Sequence, residues 1–138
     1  MTINISKLET GSDLPGIQKI IKKERIDQYA EASGDFNPIH LDEEFAKNTP
    51  AGGRIAHGML VLAYASEMMT SAFGEDWLKS GKLSVRFKIP ARPGDTVNIT
   101  GKVTKLETDG PNTLVSCDLL CANQEGETVI SGNASVRV

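Results

Sequence analysis

Along the 138 residues the hydrophobic pattern changes character near residue 80. Before that point apolar positions are irregular or helically spaced; after it they alternate. Residues 18–22 suit a short strand, and residues 26–33 a short helix with Ile26, Tyr29 and Ala30 on one face. Gly34 is its natural stop, because glycine readily takes the left-handed conformation that closes a helix. Asp42 is placed to cap a second short helix reaching Asn48, with Glu43 and Glu44 at its positive end. Residues 11–16, 35–40 and 49–54 read as loops or turns, the middle one because Pro38 biases Asn37 away from helix. The longest helix candidate is residues 58–73, GMLVLAYASEMMTSAF, apolar around most of its circumference. A helix of that kind is buried on most sides, so something must wrap it.

The second half of the chain supplies the wrapper. Leu83, Val85, Phe87 and Ile89 alternate with polar residues, as do Val97, Ile99 and Val103 with Gly101 between them. Val115, Cys117, Leu119 and Cys121 form a third run, and Ile130, Ala134, Val136 and Val138 a fourth. PARPGD at 90–95, TDGPN at 108–112 and NQEGE at 123–127 punctuate them as turns. Successive strands of this kind predict an antiparallel sheet with one apolar face. The simplest architecture is that sheet curled around a single central helix, an α+β fold occupying residues 1–138 as one domain.

Composition narrows the function. The net charge is −3, and nucleic-acid binding needs a clustered positive surplus. Aromatic residues are 5% of the chain, too few for a base-stacking platform. The least charged stretch, residues 57–74, is broken by Glu67 and too short for a membrane span. The first residues show no basic region followed by an apolar run, so no signal peptide is read. Cys117 and Cys121 stand four apart on one strand face, too far to bridge each other. With His40 and His57 the only histidines and no paired-cysteine motif, no structural zinc site is expected. These features together predict a reduced, cytoplasmic protein.

The chemistry concentrates in YAEASGDFNPIHLDEEFA, residues 29–46. Asp35 and His40 lie five residues apart, with Asn37 and Pro38 stiffening the loop between them. A carboxylate and an imidazole held at fixed separation can grip one water and move its proton. The same residues also describe a Gly-Asp turn with an Asn cap and a surface histidine, the commoner fate of loop Asp and Asn. The second element is IAHGM, residues 55–59, at the entrance to the long helix. A helix start carries unpaired N–H groups and partial positive charge, and Gly58 has no side chain to block approach to its own. That amide is a candidate donor to a carbonyl oxygen gaining charge. Alternatively, His57 caps the helix and Gly58 only permits close packing. On the helix face of Gly58 lie Leu62, Ser66, Met69 and Phe73. Ser66 and Met69, one small and one flexible, leave room for an apolar ligand, although all four residues also suit a plain core.

The segment just quoted, followed by GGRIAHGML and then VRFKIPARPGD, resembles the signature of the MaoC-like, (R)-specific enoyl-CoA hydratases, from about residue 17 to the end. The resemblance implies a hotdog fold, a sheet wrapped around a long helix, and a homodimer whose sheets join edge to edge. It implies that Asp35 and His40 are the catalytic dyad, that the Gly58 N–H binds the thioester carbonyl, and that Asn37 orients the dyad. The implied reaction is reversible hydration of a trans-2-enoyl-CoA to an (R)-3-hydroxyacyl-CoA, with Asp35 as base and His40 orienting the water, and no cofactor. Lys88 and Arg92, with Lys47 and Arg54 beside them, are candidates for the CoA phosphates. Dehydration of a 3-hydroxyacyl group on an acyl carrier protein uses the same dyad in reverse. A thioesterase and a non-catalytic acyl-thioester-binding subunit are the further alternatives.

Overall fold

The computed structural model describes residues 3–138. Five strands form one antiparallel sheet: β1 (Ile17–Ile20), β2 (Lys82–Phe87), β3 (Thr96–Asp109), β4 (Asn112–Ala122) and β5 (Thr128–Arg137). Their order across the sheet is β1-β3-β4-β5-β2, and it stays open, with β1 and β2 at the edges. Five helices accompany it: α1 (Lys23–Ser33), α2 (Pro38–Leu41), α3 (Glu43–Lys47), α4 (Gly58–Phe73) and α5 (Glu75–Ser80). None of them is long and apolar enough to cross a membrane.

The long helix occupies the residues its pattern predicted. Leu60, Val61, Ala65, Met68, Met69, Ala72 and Phe73 are buried, and they share one core with Val97, Ile99, Val103, Val115, Cys117, Leu119, Ile130 and Val136 of the sheet. No side chain caps α4 at its start. Its stability therefore comes from burial, where each large apolar side chain contributes about 1.5–3 kcal/mol, against about 1 kcal/mol for a good cap. The sheet covers one side. Partly buried Ile3, Ile5 and Leu8 add to the cover, with the Ile3 N–H on the Ala72 carbonyl at 3.0 Å. The wrapping is incomplete: Met59, Ala63 and Glu67 form an exposed strip, with Met59 at 58% exposure.

Several elements depart from expectation, among them residues 38–41, read as part of a turn and folded instead as the short helix α2, and β1, which spans Ile17–Ile20 rather than residues 18–22. Helix α1 begins at Lys23 rather than residue 26, because Lys23–Arg25 are good helix formers with no apolar period to announce them. Strand β3 runs to Asp109, well past Val103. A bulge between Val103 and Lys105 inserts one residue, so the inward phase resumes at Leu106 and the simple alternation is lost. Helix α5 was not foreseen: its six residues are too few to show a period, yet they carry buried Trp77. Gly101 marks a close approach of sheet and helix, since a Cβ there would stand 3.1 Å from Met68 Cε and 2.9 Å from Leu14 Cδ1.

Candidate active site

The loop leaving α1 is built by short-range hydrogen bonds. Gly34, at φ 76°, closes α1 with its N–H on the Ala30 carbonyl at 2.8 Å. Asp35 Oδ1 accepts from the Asn37 N–H at 3.2 Å, and Asn37 Oδ1 from the Ile39 N–H at 3.1 Å. Asn37 thereby caps α2, whose first residue is Pro38, already set for a helical φ. Four residues of helix suffice to turn His40 back toward Asp35. Asp35 Oδ2 lies 3.9 Å from His40 Nε2, a separation one water can bridge. Asp35 Oδ1 thus makes the local turn, while Oδ2 is free to face His40. His40 is largely enclosed at 12% side-chain exposure, whereas Asp35 is open to solvent at 51%.

A second segment, Arg54 to Gly58, grips this loop from outside. The Ile55 carbonyl faces His40 Nδ1 at 2.8 Å. A carbonyl only accepts, so Nδ1 carries a proton, and in the neutral ring Nε2 keeps its lone pair toward Asp35. The Ile55 N–H donates to the Ile39 carbonyl at 3.2 Å. Arg54 Nε donates to the His40 carbonyl at 2.6 Å and its Nη2 to Asp27 at 2.9 Å. That side chain is 9% exposed and occupied in holding α1 to α2, which removes it as a free phosphate ligand. Lys47 is paired with Glu44 at 3.8 Å.

Gly58 opens α4. The Leu60 and Val61 N–H groups return to the His57 carbonyl, and the Gly58 amide precedes them. His40 and Gly58 line one cavity of about 290 Å³, whose apolar wall includes Val61, Phe87, Ile89 and Val129. A Cβ on Gly58 would stand 3.0 Å from the Phe87 ring, so glycine keeps this wall open. Lys88 lines the same cavity. Arg92 does not: it borders two neighbouring surface depressions. The predicted helix-face residues also lie elsewhere. Met69 is fully buried in the core, Ser66 Oγ accepts the Trp77 indole N–H at 3.0 Å, and Leu62 is half-buried; none of the three lines this cavity. The cavity beside His40 lies between the α4 start and the segment after β2.

Asp35, His40 and His57 bring potential metal-binding atoms within 4.8 Å of one another. The two imidazoles, however, are stacked at 26° between planes, so their in-plane lone pairs run side by side instead of converging. That geometry does not suit a shared ion.

Comparison with known proteins gives the family. The family model for the MaoC like domain matches residues 8–116. The chain belongs to the MaoC-like dehydratase family. A 3-hydroxybutyryl-CoA dehydratase of Methylorubrum extorquens is 33% identical over 131 residues, covering 89% of this chain and 79% of its own. An (R)-specific enoyl-CoA hydratase of Rhodospirillum rubrum is 34% identical, covering 88% of this chain and 83% of its own. The solved (R)-hydratase of A. caviae, involved in PHA biosynthesis, superposes with a TM-score of 0.82 at 29% identity, over 94% of this chain and 96% of that one. The MaoC-like fold is the hotdog, as the resemblance implied, and the relatives named here are hydro-lyases.

Proposed function

We propose that this MaoC-like chain catalyses reversible hydration of a trans-2-enoyl-CoA to the (R)-3-hydroxyacyl-CoA. The observation that carries the reading is a single cavity bordered by both His40 and Gly58, with Asp35 Oδ2 3.9 Å from His40 Nε2. A water between these groups meets two acceptors. Both its hydrogens are engaged, and a lone pair is left for the electrophilic C3 of the conjugated thioester. As the C3–O bond forms, the C=C electron pair moves onto the thioester oxygen. The Gly58 N–H at the helix start stabilises that oxygen, where its partial positive charge is greatest. The water's proton passes to Asp35, and His40, which orients the water, takes that same proton from Asp35 at Nε2 and delivers it to C2 as the enolate collapses, leaving both side chains as they began. Water is thus divided between C3 and C2, and the reverse path is dehydration.

The apolar wall of Val61, Phe87, Ile89 and Val129 would hold the acyl carbons, and a space of about 290 Å³ favours a short chain. Lys88 is the cation best placed for the CoA phosphates, and Arg92 would serve only a ligand extending outside. The deciding experiment follows the enoyl absorbance of thioesters of rising chain length, with chiral analysis of the product. Loss of the enoyl band from crotonyl-CoA with an (R)-alcohol product is expected. Release of free CoA would replace the reading with a thioesterase, and faster turnover on carrier-protein thioesters with the biosynthetic dehydratase. With the same substrate, Asp35→Asn and His40→Gln should each lower kcat by about 10²–10⁴-fold while leaving the fold intact.

A further inference from the structure

His57 is 2% exposed and lies at the centre of the site without lining its cavity. Its Nε2 is 3.0 Å from the Asp35 carbonyl oxygen. Since that oxygen only accepts, Nε2 carries the proton. Its Nδ1 is buried with no hydrogen-bond partner among the described residues. The ring stacks on His40 with centroids 3.9 Å apart, and Tyr29 backs it at 4.8 Å. A phenylalanine would fill the same space without an unmet nitrogen, so packing alone does not account for an imidazole here. The nitrogen that is met accounts for it.

We propose that His57 is a positioning residue that sets the Asp35–His40 pair in register with the Gly58 amide. It holds Asp35 by the backbone, supports the face of His40, and through its own carbonyl receives the first N–H groups of α4. All three parts of the machinery therefore take their spacing from one side chain and its peptide. This inference rests on the hydration reading for its kinetic consequence, but the hydrogen bond itself is tested separately.

Two variants divide the roles. His57→Phe keeps a ring against His40 and loses the donor to Asp35; His57→Gln keeps an N–H donor and loses the ring. If the donor sets the register, kcat for crotonyl-CoA falls about 10²-fold in H57F, with KM changed by no more than about twofold. H57Q should recover kcat to within about tenfold of the parent, a rescue that a purely packing role would not give. Equal rates in the two variants, whether both high or both low, overturn the proposal. Imidazole ¹⁵N spectroscopy of the unmodified protein tests the bond even if a variant fails to fold. A protonated Nε2 with bare Nδ1 is expected at His57, and the opposite tautomer overturns the assignment. A parent protein that hydrates no enoyl thioester would refute the hydration reading, while the tautomer would still decide the role of His57.

Discussion

Asn37 serves the site through the backbone. Its side-chain oxygen caps α2 by taking the Ile39 N–H, and its own N–H fixes Asp35 Oδ1. Asn37→Ala should cost about 1 kcal/mol of stability as the cap is lost, read by thermal or urea unfolding. Its effect on kcat should be larger than that cost suggests, because His40 rides on the helix that loosens and orientation carries much of the rate. These residues were legible in the sequence because the loop's chemistry is local: Gly34, Asn37 and Pro38 act within a few positions of the groups they set. His57 was read only as a possible cap. Its contacts with Asp35 and His40 join residues 22 and 17 positions apart, and only the folded chain brings them together.

At the scale of elements, the strands were found wherever alternation was clean and lost where a bulge reset it. Strand β3 is the example, since two successive exposed residues at Thr104 and Lys105 look like a strand end. Close contacts between elements left no periodic trace either. Gly132 on β5 faces β2 so tightly that a Cβ would stand 2.1 Å from the Ser84 carbonyl oxygen. Gly132→Ala should destabilise by about 1–3 kcal/mol. It should also lower activity by moving β2, which carries Phe87 to the cavity; unfolding and crotonyl-CoA assays on one preparation check both. Strand β4 carries two free, buried thiols, Cys117 and Cys121. Burial pushes both pKa values up to about 11, with Asp118 adding to the effect at Cys117. Native protein should resist alkylation at neutral pH and react fully once unfolded. The unfolded thiols ionise first as pH rises from about 9 toward 11, so they bind fewer protons than the native ones and stability falls across that window. A Cys117→Ala/Cys121→Ala variant should show a shallower fall in denaturant midpoints.

For the whole molecule, the prediction of one apolar sheet face on one long helix held because both periods were strong and mutually consistent. What the pattern did not contain was the position of the open space. The helix-face count pointed to Leu62, Ser66 and Met69, whereas the cavity beside His40 is walled by Val61 of α4, Phe87 at the end of β2, the segment after it and Val129 of β5. No periodicity spans segments so distant. The open sheet leaves β2 as an edge, with Phe87 at its end 53% exposed. Such an edge is a template for another strand. Sedimentation at micromolar concentration is expected to give a homodimer, and a monomer there would remove the edge-to-edge pairing that the family resemblance implies.

The indole of Trp77 ties α5 to the middle of α4 through Ser66. It is the only tryptophan in the chain and is 6% exposed. Its fluorescence therefore has a single origin, a buried indole hydrogen-bonded to Ser66. Emission from the folded protein should be blue-shifted, and a red shift on denaturation reads the release of that helix–helix junction without any label. A Ser66→Ala change would alter the spectrum at its source, giving an optical handle on α4 independent of the thioester chemistry at its other end.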